Sequence, residues 1–221
     1  MKKYDLPTRK ECFEIIRRCR VPPHMVKHCL AVAKLAVFLA HRLKDNAVAV
    51  NVNLVDRAGL LHDILRVCDM KESEYRQFEK PATERDKATW RLLKARYDGI
   101  CHEEAACELL KAKYPALALA IRKHRYTAIL DDREKPSTWE EKLLYYADKR
   151  VMHDRIVPLK DRLEEAHKRH RHKQGTTAQG TTKTAKVDAQ IFKLEKEIFD
   201  KIGLSPIEIT DEFVDWIHKI R

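Results

Sequence analysis

Six residues of metal-binding type recur among apolar neighbours in this chain: His28, the adjacent pair His62 and Asp63, His102, His124 and Asp148. Imidazole and carboxylate together suit iron, manganese, cobalt, nickel or zinc. Affinity follows the Irving–Williams order whatever the site, so the residue types leave the metal open, magnesium included. The argument for a metal is one of desolvation. A carboxylate on an apolar helix face costs several kcal/mol unless a cation pairs with it, and Asp63 and Asp148 both follow apolar stretches, in LLHDI and LLYYADK. A divalent ion supplies that cation. It also lowers the pKa of bound water toward neutrality, so that no serine or cysteine nucleophile is required.

The elements that must carry these residues read as helices. Thr8 and Glu11 have capping-box spacing, which predicts a first helix running to about Arg20. Val21-Pro22-Pro23 breaks it, and a long helix follows from His24 to about Lys44, in which His28, Val32, Leu35 and Leu39 share a face. Residues 47–55 alternate like a strand but stand alone. They are expected to be an extended connection, with Asn53 as the cap of a helix carrying Leu54, Ala58, Leu61, His62 and Leu65, and with Gly59 allowing close helix contact. Residues 69–99 are charged and interrupted by Pro81, which predicts a peripheral helical excursion.

Another helix begins at His102, and Pro115 opens one on which Leu117, Ala120, Ile121 and His124 share a face. Ser137 and Glu140 suggest a second capping box before a long helix with Leu144, Asp148 and Val151 on one stripe. Residues 171–186, rich in Gly, Thr, Gln and Lys, predict a flexible connection. Beyond it, Ile191, Leu194, Ile198 and Ile202 mark a helix ended by Gly203, and Phe213, Trp216 and Ile217 mark a last one. The division expected is a helical core over 1–170, the connection over 171–186, and C-terminal helices over 187–221 that pack on the core.

Composition agrees with an all-α fold: of 221 residues 44% are apolar and 36% charged, with only 5 glycines, which favours long solvated helices over turn-rich β structure. A net charge of +11 favours partners that carry phosphate, or acidic surfaces. The basic run over 160–173 raises nucleic acid as a partner, but no aromatic-interleaved patch supports it, and a charge run is usually a solvated helix end. The six cysteines, Cys12, Cys19, Cys29, Cys68, Cys101 and Cys107, show no C-x-x-C spacing and read as reduced, structural residues. No signal-peptide pattern opens the chain, and no segment reads as approaching the roughly 20 apolar residues of a membrane span. A cytoplasmic location and no membrane partner are the expectation. His24, His41, His153 and His218 read as structural or exposed.

The ordered pattern of His, then His-Asp, then a distant Asp, in HCLAVAKLA at His28, LLHDI at His62-Asp63 and LLYYADK at Asp148, resembles the HD superfamily of metal-dependent phosphohydrolases over about residues 22–158. The resemblance implies a compact multi-helix bundle in which His28, His62, Asp63 and Asp148 ligate a metal. HEEAACELL at His102 and AIRKH at His124 resemble the additions of two-metal members, with Asp63 bridging. Where certain such relatives carry consecutive histidines this chain has His124-Arg125, so one or two ions are left open. The implied reaction is cleavage of a phosphomonoester or phosphodiester, a nucleotide first among candidates, by a metal-activated hydroxide. Asp63 and Arg66 are its catalytic residues, and Arg66, Arg125 and Lys149 the candidates to grip phosphate. The competing reading is a non-catalytic helical protein that binds a nucleotide or nucleic acid.

Overall fold

The computed structural model describes residues 5–174 and 178–220, excluding the side chains of 77, 170–181 and 217–220. Among them are ten α-helices and one two-stranded ribbon, an all-α bundle. Helix α1 (Arg9–Arg18) starts at the Thr8/Glu11 capping box. Pro23 then sits at the first position of α2 (Pro23–Asp45), where its missing N–H costs nothing. Helix α3 (Val52–Leu61) begins two residues earlier than its sequence suggests. Asn51, not Asn53, is the cap, its side-chain oxygen accepting the Leu54 N–H at 3.1 Å.

After short 3-10 turns at Arg66–Asp69 and Glu72–Gln77 come α4 (Glu84–Arg96), α5 (His102–Leu110), α6 (Pro115–Arg122) and α7 (Trp139–Asp148). The capping box of α7 is Thr138 with Glu141, one residue beyond the pair expected, and Glu140 instead accepts the Asn51 N–H at 2.7 Å. Helix α7 ends at Asp148, so Val151 lies not on its stripe but in a ribbon of β1 (Val151–Met152) and β2 (Arg155–Ile156). The chain closes with α8 (Leu159–Gln174), α9 (Ala178–Ile202) and α10 (Asp211–Ile220).

Helix α2 is the axis of the core, packed on α3, α7, α9 and the ribbon. By length and composition it is apolar enough to cross a membrane, contrary to the sequence reading, and 56% of that stretch is buried inside the protein. A helix apolar around most of its circumference needs partners on several sides, and α2 has them. Gly59 permits the closest approach: a Cβ there would meet Ala33 Cα of α2 at 2.5 Å. The 69–99 excursion builds a small core of its own, in which Tyr75, Phe78 and Trp90 join Met25 and Val67.

The connection expected over 171–186 is helical at 171–174 and 178–186, with 175–177 outside the described residues. Its Ala, Lys and Gln residues favour helix while Thr181, Thr182, Thr184 and Gly180 do not, and the buried stripe of Val187, Ile191, Leu194 and Ile198 anchors α9 beyond them. Of the basic run, 160–173, the backbone is helical, and the side chains of 170–173 lie outside the described residues.

Candidate metal centre

Four imidazoles converge from separate parts of the chain: His28 from α2, His62 from the end of α3, His102 from the start of α5 and His124 just past α6. Ring centroids step from His28 to His62 at 5.3 Å, to His124 at 5.0 Å and to His102 at 5.5 Å. His124 is not on the helical face expected, because α6 ends at Arg122 and the chain turns there. It still reaches the cluster. Asp63, in the turn after α3, and Asp148, the last residue of α7, bring their carboxylates into the same space.

Each ring commits one nitrogen outward. His28 Nδ1 donates to the His153 carbonyl at 2.8 Å, His62 Nδ1 to the Gly59 carbonyl at 2.9 Å and His124 Nδ1 to the Ile121 carbonyl at 2.5 Å. His102 Nδ1 lies 2.5 Å from Asp69 Oδ2. A carbonyl or carboxylate only accepts, so each Nδ1 carries a proton, and Nε2 is the nitrogen each ring turns to the carboxylates, a donor to them when the ring is protonated and a ligand when a metal takes that proton's place. All four Nε2 atoms face the two carboxylates. His28 is 3.1 Å and His62 3.6 Å from Asp148 Oδ1, while His62 is 3.8 Å from Asp63 Oδ2. His102 and His124 are 3.0 Å and 3.7 Å from Asp63 Oδ1. Asp63 thus turns one oxygen toward His62 and the other toward His102 and His124.

This donor set fits a divalent metal. His62 Nε2 is fully buried and has no hydrogen-bond partner, an arrangement that costs about 1–3 kcal/mol unless something else takes the lone pair. The ligand atoms of His28, His62 and Asp63 lie within 4.8 Å of one another, as do those of Asp63, His102 and His124. Burial is the largest influence on both carboxyls and raises their pKa. The His62, His102 and His124 rings around Asp63, and the Lys149 ammonium with His28 and His62 around Asp148, outweigh it and hold both well below the usual carboxylate range. Burial lowers the pKa of His62, His102 and His124; for His124 it prevails and favours the neutral ring, whereas Cys29, Asp63 and Asp148 around His62, and Asp63 and Asp69 around His102, outweigh it and raise both above the ordinary value.

The basic residues expected at the site divide. Arg66 opens the 3-10 turn; its side chain is 40% exposed, and its guanidinium lies 3.4 Å from Asp69 Oδ2 and 3.0 Å from His102 Nδ1. It stands at the edge of the centre, open to a ligand. Lys149 is buried, its ammonium donating to Asp148 Oδ2 at 2.8 Å and to the His124 carbonyl at 2.5 Å. It braces the two ends of the centre against each other. Arg125 is exposed and lines a cleft of about 320 Å³ with Glu103, Arg122, Asp131 and Lys183. None of the six clustered His and Asp residues lines that cleft.

Sequence reasoning missed Asp69 and Glu103, whose carboxylates lie 2.5 Å and 3.2 Å from His102 Nδ1. An acid 33 residues before its histidine leaves no local pattern. It also passed over His153, whose contribution is a carbonyl: with φ at +58° beside the ribbon, it brings its oxygen to His28. No side-chain pattern could have found a main-chain acceptor.

Fold and site together define an all-helical protein with a buried cluster of histidines and carboxylates suited to divalent metal. The HD domain profile matches residues 25–153, more than half of the chain, and the chain belongs to that family. HD domains bind divalent metals, are generally metal-dependent hydrolases, and in the phosphohydrolases act on phosphate-containing substrates. An uncharacterized protein of Methanocaldococcus jannaschii is similar, 27% identical over 158 residues that make up 66% of this chain and 77% of the relative. No solved structure matches the chain.

Proposed function

We propose that the chain is a phosphohydrolase that cleaves a phosphomonoester or phosphodiester, with a nucleotide as the favoured substrate. His28, His62, Asp63 and Asp148 would hold one divalent ion, and Asp63, His102 and His124 a second. The observation that carries this reading is the uniform aim of the four imidazoles. Every Nδ1 faces an acceptor, every Nε2 faces Asp63 or Asp148, and the Nε2 of His62 has no other partner.

Divalent ions here would neutralise substrate phosphate and lower the pKa of bound water enough for it to attack phosphorus near neutral pH. The chain supplies the rest. Asp63 offers its two oxygens to opposite ends of the centre, and Lys149 holds Asp148 and the His124 loop in register. Arg66 has a part-exposed side chain beside the centre, and its guanidinium is a planar donor pair that matches two phosphate oxygens. Asp63, Asp148 and His28 remain about 15% exposed, which gives a phosphate an approach to the donor atoms.

Elemental analysis of protein purified without chelators, beside an Asp63→Ala variant, tests the reading. Two equivalents of a transition metal in the native protein, lost in the variant together with hydrolysis across a panel of nucleotides and phosphodiesters, are expected. Negligible metal in both, persisting after attempted reconstitution, would overturn it.

A further inference from the structure

We infer that Asp69 positions His102, and thereby decides whether the Asp63–His102–His124 end of the centre holds an ion. The inference rests on the two-ion reading above. Helix α5 starts at His102 with no side-chain cap from Cys101. Asp69, at the end of the first 3-10 turn, takes that place from outside the helix. Its Oδ1 accepts the His102 backbone N–H at 3.0 Å, and its Oδ2 lies 2.5 Å from Nδ1 of the same residue. One carboxylate therefore fixes both the main chain and the ring.

The ring bond is the one that matters for the metal. His28, His62 and His124 have their tautomers set by main-chain carbonyls, which no substitution removes. His102 alone among the four depends on side chains. Asp69 is the near acceptor, and Glu103 Oε2 is a more distant one at 3.2 Å. Arg66 acts in the opposite sense. Its Nη1 lies 3.0 Å from His102 Nδ1, and a guanidinium can only donate. Without an acceptor between them, Arg66 would claim the Nδ1 lone pair and turn the ring proton to Nε2, the atom 3.0 Å from Asp63 Oδ1. Asp69 meets both demands, accepting from Nδ1 and lying 3.4 Å from the Arg66 guanidinium. Partners of this kind fix ring orientation and ligand basicity in metal sites, and losing one typically costs 10–100-fold in affinity.

Asp69→Asn separates positioning from capping. An asparagine oxygen still accepts the helix N–H, since Asn caps as well as Asp, but its amide presents a second donor to Nδ1. Metal-free variant and native protein should melt together. Manganese or zinc titration followed by elemental analysis should show two ions in the native protein, and in the variant one ion retained with the second weakened about 10–100-fold. Adding Arg66→Met to Asp69→Asn should restore part of that loss, because it removes the competing donor, and a merely structural role for Asp69 predicts no such rescue. Asp69→Asn holding two ions with native affinity overturns this inference alone. A metal-free variant that melts well below native shows that the lost carboxylate supports the fold itself, since the cap is kept, and also overturns it. Native protein that binds no second ion at saturation overturns the two-ion reading and this inference together.

Discussion

Replacing Gly59 by alanine tests the link between helix packing and the metal centre, because its sign depends on one contact. On a solvated helix face Gly→Ala stabilises by up to about 1 kcal/mol, through the entropy that glycine loses on folding. Here the new Cβ would meet Ala33 Cα at 2.5 Å, Cβ at 2.8 Å and N at 2.9 Å, where ordinary contact begins at 3.4 Å. The obstruction is backbone and a β-carbon, which have no rotamer to change. Helix α3 must therefore move from α2 by about 0.9 Å, and overpacking of this kind typically costs about 1–3 kcal/mol. The Gly59 carbonyl also orients His62, which with Asp63 lies at the end of α3, whereas His28 is fixed in α2. The displacement thus falls directly on the distance between ligands. Urea denaturation of metal-free Gly59→Ala should show a net loss of up to about 2 kcal/mol once helix propensity offsets the overpacking, and metal titration should show weaker binding. A variant as stable as native or more so, with unchanged metal affinity, would refute the claim that this approach sets the centre.

Three further outcomes follow from buried groups. Lys149→Met removes the ammonium that joins Asp148 to the His124 carbonyl and leaves Asp148 without its strongest cation; breaking such a pair costs about 3–5 kcal/mol, so metal-free protein should lose stability in urea, and an unchanged midpoint would remove Lys149 as a brace. Burial pushes the Cys12 and Cys19 thiols from 9.0 up to about 11. Since the charged form is the one disfavoured, native protein at pH 8 should leave both unmodified by iodoacetamide, as peptide mapping would show. The same shift makes their stabilisation present below pH 9 and lost as pH rises toward 11, so a melting temperature that stays flat across that range would contradict it.

The histidine and aspartate set was legible because a desolvated carboxylate or imidazole on an apolar stripe is anomalous in one dimension as well as three. Helix starts were legible where a cap is local, as at Thr8 with Glu11. They slipped by one or two residues at Asn51 and Thr138, where neighbouring residues offered equivalent chemistry and only the backbone path could choose between them. The extent of α9 was hidden for a different reason: a stretch with Gly180 and three threonines carries neither period nor helix propensity, so the helix over 178–186 follows from its anchored continuation and not from its own pattern.

Sequence alone determined the all-helical class, the six residues that meet and the family pattern they form, since residue type and spacing along a helix are local properties. Tertiary structure decided where each basic residue stands. Arg66, Arg125 and Lys149 are equivalent as cations in a sequence, but Lys149 is a buried ammonium with two acceptors, whereas Arg66 is a part-exposed side chain beside the centre, paired with Asp69. It also decided which nitrogen of each histidine faces inward, because the acceptors that set the tautomers are three carbonyls and an aspartate brought together only by packing.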